Sequence, residues 1–63
     1  MEDKPLTPKD IAKRYGVTEH TTSEWRRSGR GPQWFKVGHR VFYSMEDVLA
    51  FEEQQKEEAR DAG

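Results

Sequence analysis

Between Gly16 and Pro32 the chain reads GVTEHTTSEWRRSGRGP, and its hydrogen-bonding side chains recur at helical spacing. If Glu19 to Ser28 is helical with Thr22 and Trp25 turned inward, the rotation of 100° per residue puts His20, Ser23, Glu24 and Arg27 on the opposite face. Glu19, Thr21 and Arg26 then lie on its flanks. The chemistry open to such a face is directional hydrogen bonding. Arg27 suits bidentate donation to guanine O6 and N7, Glu24 can accept from cytosine N4, and His20 and Ser23 reach bases or phosphates. Arg26, Arg30 and the amide hydrogens at the helix start suit phosphate oxygens. Taken alone, the same face also reads as a polar surface that only keeps the protein in solution.

The flanking residues set the elements that must hold this face. In PLTPKDIAKRYG, Thr7 is placed as an N-cap with Pro8 at the first helical position, Asp10 three residues on and Leu6 as a staple. Ile11, Ala12 and Tyr15 form one apolar stripe, and Gly16 ends the helix. Only Val17 separates that turn from Thr18, the cap of the next helix, which Gly29 stops. Two helices joined so closely predict a helix-turn-helix, with Ala12 small at the crossing and Val17, Thr22 and Trp25 pointing back to the first helix.

SGRGPQ reads as a loop, and WFKVGHRVFYS as a β-hairpin around Gly38. Side-chain alternation predicts Val37 paired with Val41, with Phe35, Val37, Val41 and Tyr43 on one face and Gly38, His39 and Arg40 as a three-residue loop. Lys36 is then expected on the outward face. Such a basic wing can lay His39 and Arg40 along phosphates or into a minor groove. Glycine at the tip is equally explained by turn geometry. Ser44 is placed as the cap of a third helix, with Glu46 and Asp47 near its positive end and Val48, Leu49 and Phe51 on its buried face. Beyond Phe51 the segment EEQQKEEARDAG lacks any large apolar residue. Glu52 is predicted to pair with Lys56 there, and both this end and MEDK are expected to fray.

Composition narrows the classes. The chain has 63 residues, 32% of them hydrophobic, and no cysteine, so a small core, no disulfide framework and no thiolate metal site are expected. No apolar run or leader pattern is seen, which predicts a soluble cytoplasmic domain rather than a membrane protein. Net charge is −1, but it is segregated: residues 1–44 hold nine Lys/Arg against five Asp/Glu, and residues 45–63 hold two against seven. A basic body can still meet a polyanion. The two histidines, His20 and His39, sit on separate elements without zinc spacing, and the core is too small to shape a catalytic pocket. Neither an enzyme, a cofactor, a metal nor a small-molecule substrate is expected. The domain reading is a single winged helix-turn-helix over 1–63, mainly α with a β-hairpin wing, its ordered core about 6–51 and a charged helix and tail over 52–63.

LTPKDIAKRYGVTEHTTSEW followed by GPQWFKVGHRVFYSMEDVLAF resembles the small winged-helix proteins of the MerR-like, AlpA/excisionase group, across roughly Leu6 to Phe51. The motifs that carry the likeness are the Leu-Thr-x-x-Asp-Ile-Ala opening, Gly16-Val17-Thr18, Thr21 to Trp25, Val37-Gly38-His39-Arg40-Val41 and Glu46-Asp47-Val48. The resemblance implies a recognition helix in the major groove and a wing in the minor groove of double-stranded DNA. It also implies a phage excisionase that binds tandem sites alongside further copies of itself, bends DNA and directs an integrase toward excision, in a bacterial cell at the nucleoid. MerR-type regulators usually run on into a dimerisation helix, so a chain ending after the third helix is expected to be the accessory factor. A compact transcriptional repressor, or a protein-interaction adaptor, remains the alternative. Two features depart from the pattern: Thr22 replaces an aliphatic residue, and Trp34 and Phe42 are expected together on the hairpin's outward face, either covered or forming a docking surface.

Overall fold

Each helix begins where the sequence offers an oxygen to its first turn. In the computed structural model, which describes residues 4–62 with side chains as far as Arg60, the order is α1 (Pro8–Tyr15), α2 (Glu19–Ser28), β1 (Phe35–Val37), β2 (Arg40–Phe42) and α3 (Met45–Ala62). The expected fraying of residues 1–3 lies outside the described residues. Thr7 Oγ1 accepts from the Asp10 amide at 3.2 Å while Asp10 Oδ2 accepts from the Thr7 amide at 2.9 Å, a reciprocal box. That backbone hydrogen bond holds the Asp10 carboxyl below its ordinary range. Thr18 caps α2 through the Thr21 amide, and Ser44 caps α3 through the Asp47 amide. Gly16 and Gly29 close α1 and α2 at φ of 68° and 79°, a region other residues rarely enter. The result is the mainly helical winged helix-turn-helix read from the sequence.

Ile11, Tyr43 and Val48 form the fully buried centre, with Leu6, Tyr15, Trp25 and Val41 packed against it. A buried aliphatic side chain contributes about 1.5–3 kcal/mol, so in a core of this size each one counts. The rings of Tyr15, Trp25 and Phe51, one from each helix, meet at centroid distances of 6.0, 6.2 and 6.4 Å. Gly31 underlies this cluster: at φ 80°, a β-carbon there would stand 3.0 Å from Trp25 Cε3. Leu49, expected beside Val48 and Phe51, is exposed instead, because one residue past Val48 is a turn of 100° away from the core.

The charged half of α3 is not left to itself. Glu52 accepts from Arg14 Nε at 2.6 Å, from Arg14 Nη2 at 3.1 Å and from Tyr15 Oη at 2.7 Å. The expected Glu52–Lys56 pair is therefore replaced by a bidentate clamp to α1, and Lys56 lies near Glu53 at 3.6 Å. A carboxylate holding three donors from two residues outcompetes a single flexible lysine. Arg14 and Tyr15 pull the Glu52 carboxyl down to about 2. Burial, and then the hydrogen bond to Glu52, push the Tyr15 phenol up to about 12. Arg14 is pushed above its ordinary value by its bond to Glu52.

The hairpin corrects the predicted register. Phe35 pairs with Phe42, Lys36 with Val41 and Val37 with Arg40, so the loop is two residues, Gly38 and His39, and Arg40 belongs to β2. Gly38 has φ 65° while His39 is not in the positive-φ region, the pattern of a II′ turn, whose twist matches the strands it joins. The expectation assumed that all four apolar residues share the core face. In strands this short only Val41 and Tyr43 reach the core, while Phe35, Val37, Arg40 and Phe42 occupy the other row. That row makes contacts of its own: the Phe35 and Phe42 rings lie 6.0 Å apart and the Arg40 guanidinium 5.9 Å over Phe42. Trp34 and Phe42 are thus not a shared outward surface; Phe42 is half-buried on this row and Trp34, just ahead of β1, is 39% exposed. A feature absent from the sequence reading ties the hairpin down. Leu6 and Tyr43 exchange backbone hydrogen bonds of 2.7 and 2.8 Å, an isolated antiparallel bridge.

Candidate nucleic-acid interface

Thr22 decides how α2 lies. It is 0% exposed, and its hydroxyl donates to the Glu19 carbonyl at 2.8 Å, so the departure from an aliphatic residue leaves no orphaned polar group in the core. Trp25 turns the same way, onto Tyr15 and Phe51. The opposite face is open: the side chains of His20 and Arg27 are 82% and 76% exposed. Glu24 sits between them, 3.9 Å from His20 Nε2 four residues before it and 3.5 Å from Arg27 Nη1 three residues after it, the two spacings that make neighbours on a helix face. The helix register sets Arg27 on the outward face, and the nearby acid offsets part of its charge there.

The remaining predicted residues divide. Glu19 is exposed; Ser23 and Thr21 are half-buried, and the Thr21 hydroxyl lies 3.1 Å from that of Thr18 in the cap. Arg26 is half-buried, and its Nη1 donates to the Tyr43 hydroxyl at 3.0 Å. Arg30 is exposed in the loop, its amide closing on the Trp25 carbonyl at 2.7 Å. Gly38, His39, Arg40 and Lys36 are all exposed on the wing. Lys36 does not lie on the outward row as predicted. Its register with Val41 places it on the row of Val41 and Tyr43, the row turned to the helices. Tyr43 meets α2 through Arg26, so the wing's lysine lies on the hairpin face that looks toward α2, and Arg40 lies on the reverse. Sequence reasoning missed Tyr43 as the joint between wing and helix; a tyrosine in an apolar row is signalled only by its hydroxyl, which needs a partner when buried.

Among the described residues no group of three or more His, Asp or Glu side chains could hold a metal, and no helix is long and apolar enough to cross a membrane. The arrangement offers recognition: a polar helix face and a basic hairpin on a small packed core. The family model of a helix-turn-helix domain matches residues 5–56. No match was found among curated proteins or among solved structures. The matched span takes in both helices, the wing and most of α3, and with the buried Thr22, the two glycine-capped helices and the exposed face they create, the chain belongs to the DNA-binding helix-turn-helix domain family.

Proposed function

We propose that the protein reads a specific duplex sequence with the outward face of α2 and steadies itself with the wing. The observation that carries this is the opposition on α2 itself, Thr22 wholly buried and His20, Glu24 and Arg27 facing solvent. A helix held by so narrow a stripe leaves its polar side free for a major groove. Arg27 and Glu24 read base edges, with His20, Ser23, Glu19 and Thr21 beside them. Arg30, Lys36, His39 and Arg40 contact the backbone, and Gly38 lets the tip approach it closely. Three or four phosphate contacts imply a salt slope near −3 for one copy. The protein is a binding module in this reading, without catalysis, cofactor or small-molecule substrate.

Its biological task, in the same reading, is that of a phage excisionase. Several copies bind tandem sites in the host cytoplasm, bend the DNA and direct an integrase toward excision. The MerR-like, AlpA/excisionase resemblance supports this, as does the charge segregation: an acidic α3 can meet the basic wing of a neighbouring copy, so that weak single-site affinities combine. Footprinting on duplexes carrying one or two sites tests both levels. Cooperative protection at a recombination site is expected. Protection at a promoter would favour a compact repressor, and a non-cooperative isotherm would remove the tandem arrangement. The exposure of Trp34 favours a second reading, a protein-interaction adaptor, and a failure to shift any duplex at low salt would select it.

A further inference from the structure

Arg26 differs from the other arginines of this region. Arg27 and Arg30 are exposed, whereas Arg26 is half-buried and spends one of its donors on the hydroxyl of Tyr43. Tyr43 is 1% exposed, in the buried core beside Ile11 and Val48, and its backbone is locked on both sides to Leu6. It is thus a buried anchor at the end of the hairpin. Among the described residues, Arg26 to Tyr43 is the one hydrogen bond between α2 and the hairpin. The Leu6–Tyr43 bridge anchors the hairpin at the start of α1 and not to α2 itself, and the apolar side chains that α2 and the hairpin send to the shared core, Trp25 and Val41, pack without directional preference.

We infer that Arg26 is a positioning residue that sets the angle between the recognition helix and the wing, so that both engage DNA as one rigid unit, and that its partner in this role is the buried hydroxyl of Tyr43. The inference rests on the reading that α2 and the wing both touch DNA. A charge-assisted bond to a buried, immobile acceptor is suited to this task, since the guanidinium is planar and directional. Two contact surfaces held at the right angle before binding avoid the ordering cost that two loosely hinged surfaces would incur on the duplex. An arginine engaged in this way acts on affinity without acting as a counter-charge to a phosphate, and that difference can be measured.

The test compares the wild type, Tyr43→Phe, Arg26→Gln and the double variant by mobility shift. Each is run on the footprinted site and on an unrelated duplex across a salt series. Each single change is expected to weaken the specific site roughly tenfold, the size of one charge-assisted hydrogen bond, to leave the salt slope unchanged and to spare the unrelated duplex. The double variant is expected to be no weaker than either single one. Tyr43→Phe removes no charge, so unchanged specific binding in that variant overturns the inference. So does an Arg26→Gln protein with a flatter slope and equal losses on both duplexes, which would make Arg26 a phosphate contact. Should Tyr43→Phe fail to fold, Arg26→Gln carries the same comparison. Residual dipolar couplings of hairpin and α2 amides, measured on free protein, provide an arm that needs no DNA. A changed orientation between the two elements in the variants supports the lock and an unchanged one overturns it. A wild type that binds neither duplex defeats the DNA reading while leaving the lock to be judged by those couplings.

Discussion

α2 and the hairpin both present polar edges, yet they are held very differently. α2 is seated on α1 by Thr22, which is wholly buried, and by the half-buried Trp25, whose ring meets Tyr15, Phe51 and the Gly31 backbone. In β1 every residue is exposed, Phe35 at 40% and Val37 at 60%, and only Val41 of β2 with the neighbouring Tyr43 returns to the core. The helix pair has its own packing. The wing borrows its place from the Leu6 bridge and from Arg26. The difference teaches where substitutions will matter: changes beneath α2 act on folding, and changes on the wing act on binding with the fold intact.

The contrast is broken most directly at the core. Ile11→Ala should cost about 2–5 kcal/mol, enough to unfold much of so small a domain, whereas Val37→Ala on the wing should stay within about 0.5 kcal/mol. Urea denaturation of the two variants measures both. The glycines sharpen it next. Gly31→Ala combines a positive φ with a β-carbon 3.0 Å from the Trp25 ring, and should cost about 2–4 kcal/mol. Gly38→Ala meets open space at the wing tip and should cost about 1–2 kcal/mol for its backbone alone. Equal losses at the two sites would erase the distinction drawn between helix pair and wing.

Binding variants come third. Arg27→Ala should lose about 1–3 kcal/mol on the specific site and relax one base preference, while Arg40→Ala should weaken all duplexes alike and reduce the salt slope by about 1. Both are read by mobility shift in a salt series, with thermal unfolding unchanged. The smallest effect expected is acid sensitivity of the α1–α3 clamp. Folding lowers the Glu52 carboxyl from 4.5 to about 2, so its contribution is present above 4.5 and is lost as pH falls toward 2. The clamp is surface-exposed, and the effect is correspondingly modest. Glu52→Gln should flatten that part of the stability–pH profile. The Tyr15 phenol, raised from 10.0 to about 12, acts at the other end: its contribution is complete below 10 and is lost as pH climbs through 12.

The helix boundaries were legible because caps are local. Thr7 with Asp10, Thr18, Ser44, Gly16 and Gly29 each act within a turn of their own position, and each stands where its residue type predicts. The face of α2 followed from one assumption, that Thr22 and Trp25 turn inward. The hairpin register was not legible, because strands of three residues carry too few alternations to distinguish a core row from an outward one; Phe35 and Val37 are as apolar as Val41. The partners of Glu52, 37 and 38 residues away in sequence, leave no local trace, so the nearest lysine looked sufficient. The Leu6–Tyr43 bridge is a backbone pairing of single residues and has no composition signal at all.

The two tryptophans fall on opposite sides of this division. Trp25 lies within the three-helix aromatic cluster, and Trp34 is partly open to solvent at the foot of the hairpin. Single-indole variants would therefore give two independent fluorescent reporters, one following denaturation and the other open to an aqueous quencher in the native state. Shielding of the second signal by added duplex, with the first unmoved, would tell occupancy from unfolding in one cuvette.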